Sequence, residues 1–97
     1  MPLRIIIQPE AAEDAADAYS WYLRQSAEAA ERFQADVRSA IERAAVGPQR
    51  YPRHLGGTRR VLLHDFPFAV VFRESADSIL VVAVAHASRR PGYWLDR

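Results

Sequence analysis

The stretches Phe68-Ala69-Val70-Val71-Phe72 and Ile79-Leu80-Val81-Val82-Ala83-Val84-Ala85 decide the fold. Both read as strands, yet both of their alternating faces are apolar, unlike the one-sided pattern of a sheet with a wet face. Each face therefore needs a cover. Working outward, Glu74-Ser75-Ala76-Asp77 supplies a polar turn between the two, and Asp65-Phe66-Pro67 forms a tight corner ahead of the first. Before that corner lies Thr58-Arg59-Arg60-Val61-Leu62-Leu63, a strand opened by two arginines. Strands over residues 58 to 64, 68 to 74 and 78 to 85 then form an antiparallel meander. After the meander comes His86-Ala87-Ser88-Arg89-Arg90-Pro91-Gly92-Tyr93-Trp94, a cationic and aromatic run suited to holding an anionic or protein partner.

Upstream of the meander the apolar period changes. Leu3-Arg4-Ile5-Ile6-Ile7-Gln8 is short, β-branched and stopped by Pro9, so residues 3 to 8 are expected to be a strand. Residues 10 to 24 are rich in alanine with acids in the first turn, where they complement the helix dipole, and Ala12, Ala15, Ala16, Tyr19, Tyr22 and Leu23 share a face. Ser26 is placed to cap a second helix over residues 27 to 46, in which Ala30, Phe33, Val37, Ala40, Ile41 and Ala44 recur at helical spacing. Gly47-Pro48 stops it, and residues 47 to 57 form a cationic loop rich in proline and glycine. The expected fold is α+β, in the order β-α-α-β-β-β, with a two-helix hairpin packed on a mostly antiparallel four-stranded sheet. The helices cover one face of that sheet. The tail, a second copy or a partner segment must cover part of the other.

Composition narrows the function classes. A chain of 97 residues, about half apolar and a quarter charged, is one small domain over residues 1 to 97. It has no cysteine, which excludes a disulfide framework or a thiolate metal site, and histidines at 54, 64 and 86 are too scattered for a metal cluster. No metal and no cofactor are expected. No apolar run approaches the roughly 18 to 20 residues of a membrane span, and the segment before the isoleucines is too short for a signal peptide, so a cytoplasmic protein without membrane contact is expected. The net charge of +1 conceals an asymmetry: residues 1 to 48 hold five arginines against eight acids, and residues 49 to 97 hold eight against four. Every basic residue other than histidine is arginine, the side chain that meets carboxylate or phosphate in a bidentate fork and stacks on rings.

Taken in order, these residues resemble the RelE/ParE family of bacterial toxins. The resemblance rests on the acidic, tyrosine-containing first helix, a second helix built around Arg32-Phe33, and the Gly47-Pro48 stop. It continues through the Arg59-Arg60-Val61 strand, the Phe66-Pro67-Phe68 corner and the ending from His86 to Trp94, and so spans nearly the whole chain. It implies the toxin half of a type II toxin-antitoxin pair. A cognate antitoxin, ParD-like, would hold the toxin inactive in a hetero-oligomer by wrapping it with a C-terminal segment, and would carry any contact with operator DNA. Such a segment is the cover that the apolar surface lacks. Tyr19, Tyr22, Phe33, Val37, Phe68 and Phe72 are the antitoxin contacts expected on this resemblance.

The family divides into two mechanisms. RelE-like members resemble ribonucleases that cut messenger RNA in the ribosome, chemistry that needs a base for the 2′-hydroxyl, an acid for the leaving oxygen and cations on the phosphate. RelE uses lysines for part of this, and this chain has none. Arginine stabilises a phosphorane but is a poor base. His86, Arg73 and Tyr93 are the residues that would carry a ribonuclease reaction here, although each also fits a structural role. ParE-like members resemble inhibitors that trap DNA gyrase on cleaved DNA and need no catalytic residues. The absent lysines, the Phe66-Pro67-Phe68 corner with the Val-Val-Phe-Arg that follows, and the His86 to Trp94 ending favour that branch. Arg59, Arg60, Arg89, Arg90, Tyr93 and Trp94 are then the expected target contacts. A third possibility is a family member that only binds its antitoxin and assists autoregulation.

Overall fold

The computed structural model describes residues 2 to 97. In it the chain runs β1 (Arg4–Ile7), α1 (Pro9–Gln25), α2 (Ala27–Val46), β2 (Arg53–His54), β3 (Thr58–Leu62), β4 (Phe68–Glu74) and β5 (Ser78–His86). Single 3-10 turns at Pro48–Arg50 and Leu55–Gly57 flank β2. The α+β architecture is the one expected, with one strand more: the sheet has the order β1-β5-β4-β3-β2. The added strand is two residues long, and its Arg53 and His54 pair antiparallel with Arg59 and Thr58. A strand so short has no alternation to read, and the prolines and glycines around it mark a loop. Gly56 and Gly57 turn the chain back from β2 into β3 with φ of 66° and 73°, a region costly for any residue with a Cβ.

Local chemistry sets the helix ends. Pro9 begins α1, where its missing N–H costs nothing and its fixed φ suits the first turn. One extended residue, Ser26, both ends α1 and starts α2: its N–H donates to the Tyr22 carbonyl and its hydroxyl accepts from the Ala29 N–H at 3.2 Å. The two helices pack on each other and on one face of the sheet. Between them lies the main core of Phe33, Val37, Ala40, Ile41 and Ala44 from α2 against Val61, Phe68, Val70, Phe72, Ile79 and Val81. Asp36, buried on the same helix, accepts from the backbone N–H groups of His64 and Asp65 at 3.1 and 2.8 Å and so holds the corner between β3 and β4.

The opposite face of the sheet carries Val71, Val82, Ala83 and Ala85, and Trp94 is buried against them. The tail is thus the cover of this second face. A register shift at Val71/Phe72 pairs Val71 with Ala83 and Phe72 with Val81, leaving Val82 as the extra residue of a bulge.

Strand β1 pairs with β5 in parallel from Arg4↔Ser78 to Ile7↔Val81 and then leaves for α1. Past Val81 the outer edge of β5 is met by side chains. Arg97 Nη1 donates to the Val82 carbonyl at 3.0 Å, and the Val84 N–H donates to Asp14 Oδ2 at 3.1 Å. The other side of β1 is a free sheet edge, and Ile5, Ile6 and Ile7 are each 40 to 48% exposed. Among the described residues no helix is long and apolar enough to cross a membrane.

Candidate functional site

Alternation along β3 sends Arg59 and Arg60 to opposite faces. Arg60 and Leu62 face the tail, where they join His54 of β2, Ala69 and Val71 of β4, Ala85 and His86 of β5, and Arg89, Tyr93 and Trp94 of the tail. Phe66, Pro67 and Phe68 close one end, and the resulting cleft has a volume of about 360 Å³. Its walls are apolar and aromatic, its charged groups are guanidiniums, and no carboxylate lines it among the described residues.

The tail side chains are held in place. Arg89 lies over the Tyr93 ring at 3.9 Å and Arg97 at 5.0 Å, cation–π distances. The Tyr93 hydroxyl donates to Asp14 Oδ2 at 3.1 Å, and Arg97 grips the same carboxylate with both terminal nitrogens, at 2.7 and 3.0 Å. Burial first, then the charge of Asp14, pushes the Tyr93 phenol up to about 12. The His54 ring packs on Trp94 at 5.3 Å, and burial followed by the nearby Arg60 charge lowers its pKa, so its imidazole is neutral at pH 7. The indole N–H of Trp94 is buried without an acceptor. His86 stands edge-on to Phe68 at 4.9 Å, and its Nδ1 accepts from the Ser88 N–H at 2.9 Å.

A second feature lies on the helix side. Ile5 and Ile7 of β1, Ala12, Ala15, Ala16 and Tyr19 of α1, and Phe33, Val37 and Ile41 of α2 line an apolar groove of about 560 Å³ beside the free edge of β1. On the other flank of α1, Asp17, Trp21 and Tyr22 with Phe68, His86 and Arg89 line a groove of about 610 Å³, in which Trp21 is half exposed.

Residues 5–91 match the family model described as the ParE toxin of the type II toxin-antitoxin system parDE. The chain belongs to the ParE toxin family. A solved structure described as a chromosomal ParDE toxin-antitoxin system from P. aeruginosa is similar to this chain over 89% of its length and 97% of that chain, with a TM-score of 0.76 and 18% sequence identity. At that identity the likeness speaks to the fold. No curated protein matches the chain significantly.

The expected target contacts are divided. Arg60, Arg89, Tyr93 and Trp94 meet in the cleft, whereas Arg90 is exposed outside it. Arg59 points the other way, bonded to the Tyr51 carbonyl at 2.7 Å and paired with Glu74 at 3.3 Å. The three residues named for a ribonuclease reaction have separate partners: Tyr93 on Asp14, His86 on Ser88, and Arg73 on the Gly56 carbonyl. Of the expected antitoxin contacts, Tyr19, Phe33 and Val37 line the apolar groove, and Tyr22 and Phe68 line the groove beyond α1. Phe72 is fully buried in the core. Sequence reasoning passed over Asp14 and Arg97, for which the chain offers no local signal, and the outward isoleucines of β1, for which an unbroken Ile5-Ile6-Ile7 run was one.

Proposed function

We propose that this chain is the toxin of a type II pair, one domain acting in the cytoplasm, which inhibits DNA gyrase by binding it and is neutralised by a ParD-like antitoxin. The observation that carries this reading is the ParE family match over residues 5–91. A binding rather than a catalytic mode is supported by two features of the cleft. Tyr93 is held protonated far above neutral pH, and the Nδ1 of His86 is occupied within the chain, so neither of these two cleft residues is poised as a base. The cluster of Arg60 and Arg89 with Tyr93 and Trp94 has the composition of an interface anchor.

The antitoxin segment is assigned to the apolar groove. A helix or strand laid there would cover Tyr19, Val37 and Ile41 and meet the unpaired edge of β1, where main-chain bonds can add to the sheet. Such a segment would be disordered alone and fold on binding. Operator DNA is then contacted through the antitoxin.

The deciding experiment incubates the antitoxin-free protein with gyrase and supercoiled plasmid, alongside a ribosome-programmed messenger cleavage assay. Loss of supercoiling or trapped cleaved DNA with intact message is the expected result. Cut message with normal gyrase would replace this reading with the ribonuclease one.

A further inference from the structure

The free edge of β1 is apolar and unguarded. Ile5, Ile6 and Ile7 are all exposed there, and the run contains no charge, proline or bulge of the kind that keeps sheet edges from pairing. Its hydrogen-bonding phase is fixed by β5. The N–H groups of Arg4 and Gln8 donate inward to the Asp77 and Val81 carbonyls at 3.0 and 2.9 Å, so alternation along the strand turns the N–H and C=O groups of Ile5 and Ile7 outward. Among the described residues no strand meets them. The side chains of Ile5 and Ile7 lean toward the helix-side groove, and that of Ile6 takes the other face.

Arg4-Ile5-Ile6-Ile7-Gln8 has the same pattern in both directions, a polar residue at each end and Ile6 at the centre. Two antiparallel copies related by a two-fold axis at Ile6 set Ile5 of each opposite Ile7 of the other, as hydrogen-bonded pairs in which every outward N–H finds a carbonyl. Ile6 then faces Ile6, and Arg4 of each copy faces Gln8 of the other, so no like charges are opposed. Shifted axes fail. Centring on Ile5 calls on Leu3, whose N–H is already bonded to the Ala45 carbonyl at 2.9 Å, and centring on Ile7 sets Ile5 against Pro9, which has no N–H to give.

We infer that the antitoxin-free chain pairs with a second copy of itself through β1, in one sheet continuous across a two-fold axis at Ile6. The pairing takes the same edge that is assigned above to the antitoxin, so the two occupants exclude one another: the dimer is a state of the free toxin, and antitoxin binding dissolves it. With three isoleucines per copy the contact falls short of the roughly 1,000 Å² of a permanent interface, which makes the dimer weak and dependent on concentration.

The test is sedimentation velocity of the antitoxin-free protein, without gyrase, so that its failure leaves the gyrase assay standing. The mass is expected to rise from 11.0 kDa toward twice that value as concentration increases. Ile6→Lys and Ile6→Glu, at an exposed position, should each set like charges together at the axis and weaken self-association at least about tenfold. An equimolar mixture of the two should restore it, which a merely destabilised fold would not do. Ile5→Pro removes an outward N–H, keeps the bonds to β5 and is expected to weaken the dimer as well. Circular dichroism checks the fold of every variant; one whose spectrum departs from the parent's is not scored, and either design suffices alone. A parent that stays at monomer mass at every concentration would overturn the inference and leave the edge to the antitoxin. So would charge variants that dimerise as the parent does, a mixture no more associated than its components, or association that continues past the dimer.

Discussion

Asp14 is one carboxylate with three clients: the Val84 N–H, the Tyr93 hydroxyl and the Arg97 fork. Its ion pair with Arg97 is mostly shielded, with side chains 11% and 18% exposed, so the charge is worth more than at a free surface. Asp14→Asn keeps the shape and removes the charge. A loss of about 2 kcal/mol is expected, which lowers the melting temperature by roughly 10 °C in a chain of this size. The same carboxylate helps to hold the Tyr93 proton. Because burial and Asp14 push the phenol up to about 12, above its ordinary value of 10.0, its contribution to stability is complete below the unfolded value and is lost as pH climbs through the folded one. Alkaline titration of tyrosine absorbance, compared with Tyr93→Phe, should show the late component, and Asp14→Asn should bring it down. His54 has the opposite sign. Its pKa is lowered from 6.5, so its contribution is present above that value and is lost as pH falls through the folded one. Arg60→Gln removes the second cause, and the imidazole resonances of His54 should then titrate at higher pH.

At the scale of elements, Ser26 shows how little sequence suffices to fold one helix onto another. Its hydroxyl is an N-cap acceptor, and Ser26→Ala should cost about 1 kcal/mol in chemical denaturation without altering the helix content of the folded state. The tail is a larger unit. Removing residues 93 to 97 uncovers Val71, Val82, Ala83 and Ala85, and the truncated chain is expected to bind a hydrophobic dye and to aggregate, as checked by dye fluorescence and light scattering. Both helices and the three long strands were legible because period and punctuation agree along them. So was the need to cover two sheet faces. The site was legible only in part. Arg59 and Arg60 are neighbours in sequence but stand on opposite sides of β3, and Phe72 is in the core because alternation turns it with Phe68 and Val70 toward α2. Strand period predicts both facts once the register is known, yet register depends on the bulge at Val71/Phe72, which no local signal marks. Asp14 and Arg97 are 83 residues apart, and pairing at that distance is a property of the finished topology.

For the whole molecule, the uneven charge becomes a kinetic property. The half of the chain from residue 49 carries eight arginines against four acids, and a disordered acidic antitoxin segment would be steered toward it. Association with the cognate antitoxin should slow as salt rises from low to moderate concentration; a rate indifferent to salt in stopped-flow mixing would remove electrostatic steering from the description.

The parallel pairing of β1 with β5 has a consequence for the order of assembly. The hairpins β3-β4 and β4-β5 join neighbours in sequence and close short loops, whereas β1 must find residues 78 to 81 across almost the whole chain. Long closures cost more entropy before any contact rewards them, so the first strand to be synthesised is expected to be the last to dock. One wall of the apolar groove, Ile5 and Ile7, arrives only with that step. In a refolding chain, competence to receive an antitoxin is therefore expected to appear after the meander has formed.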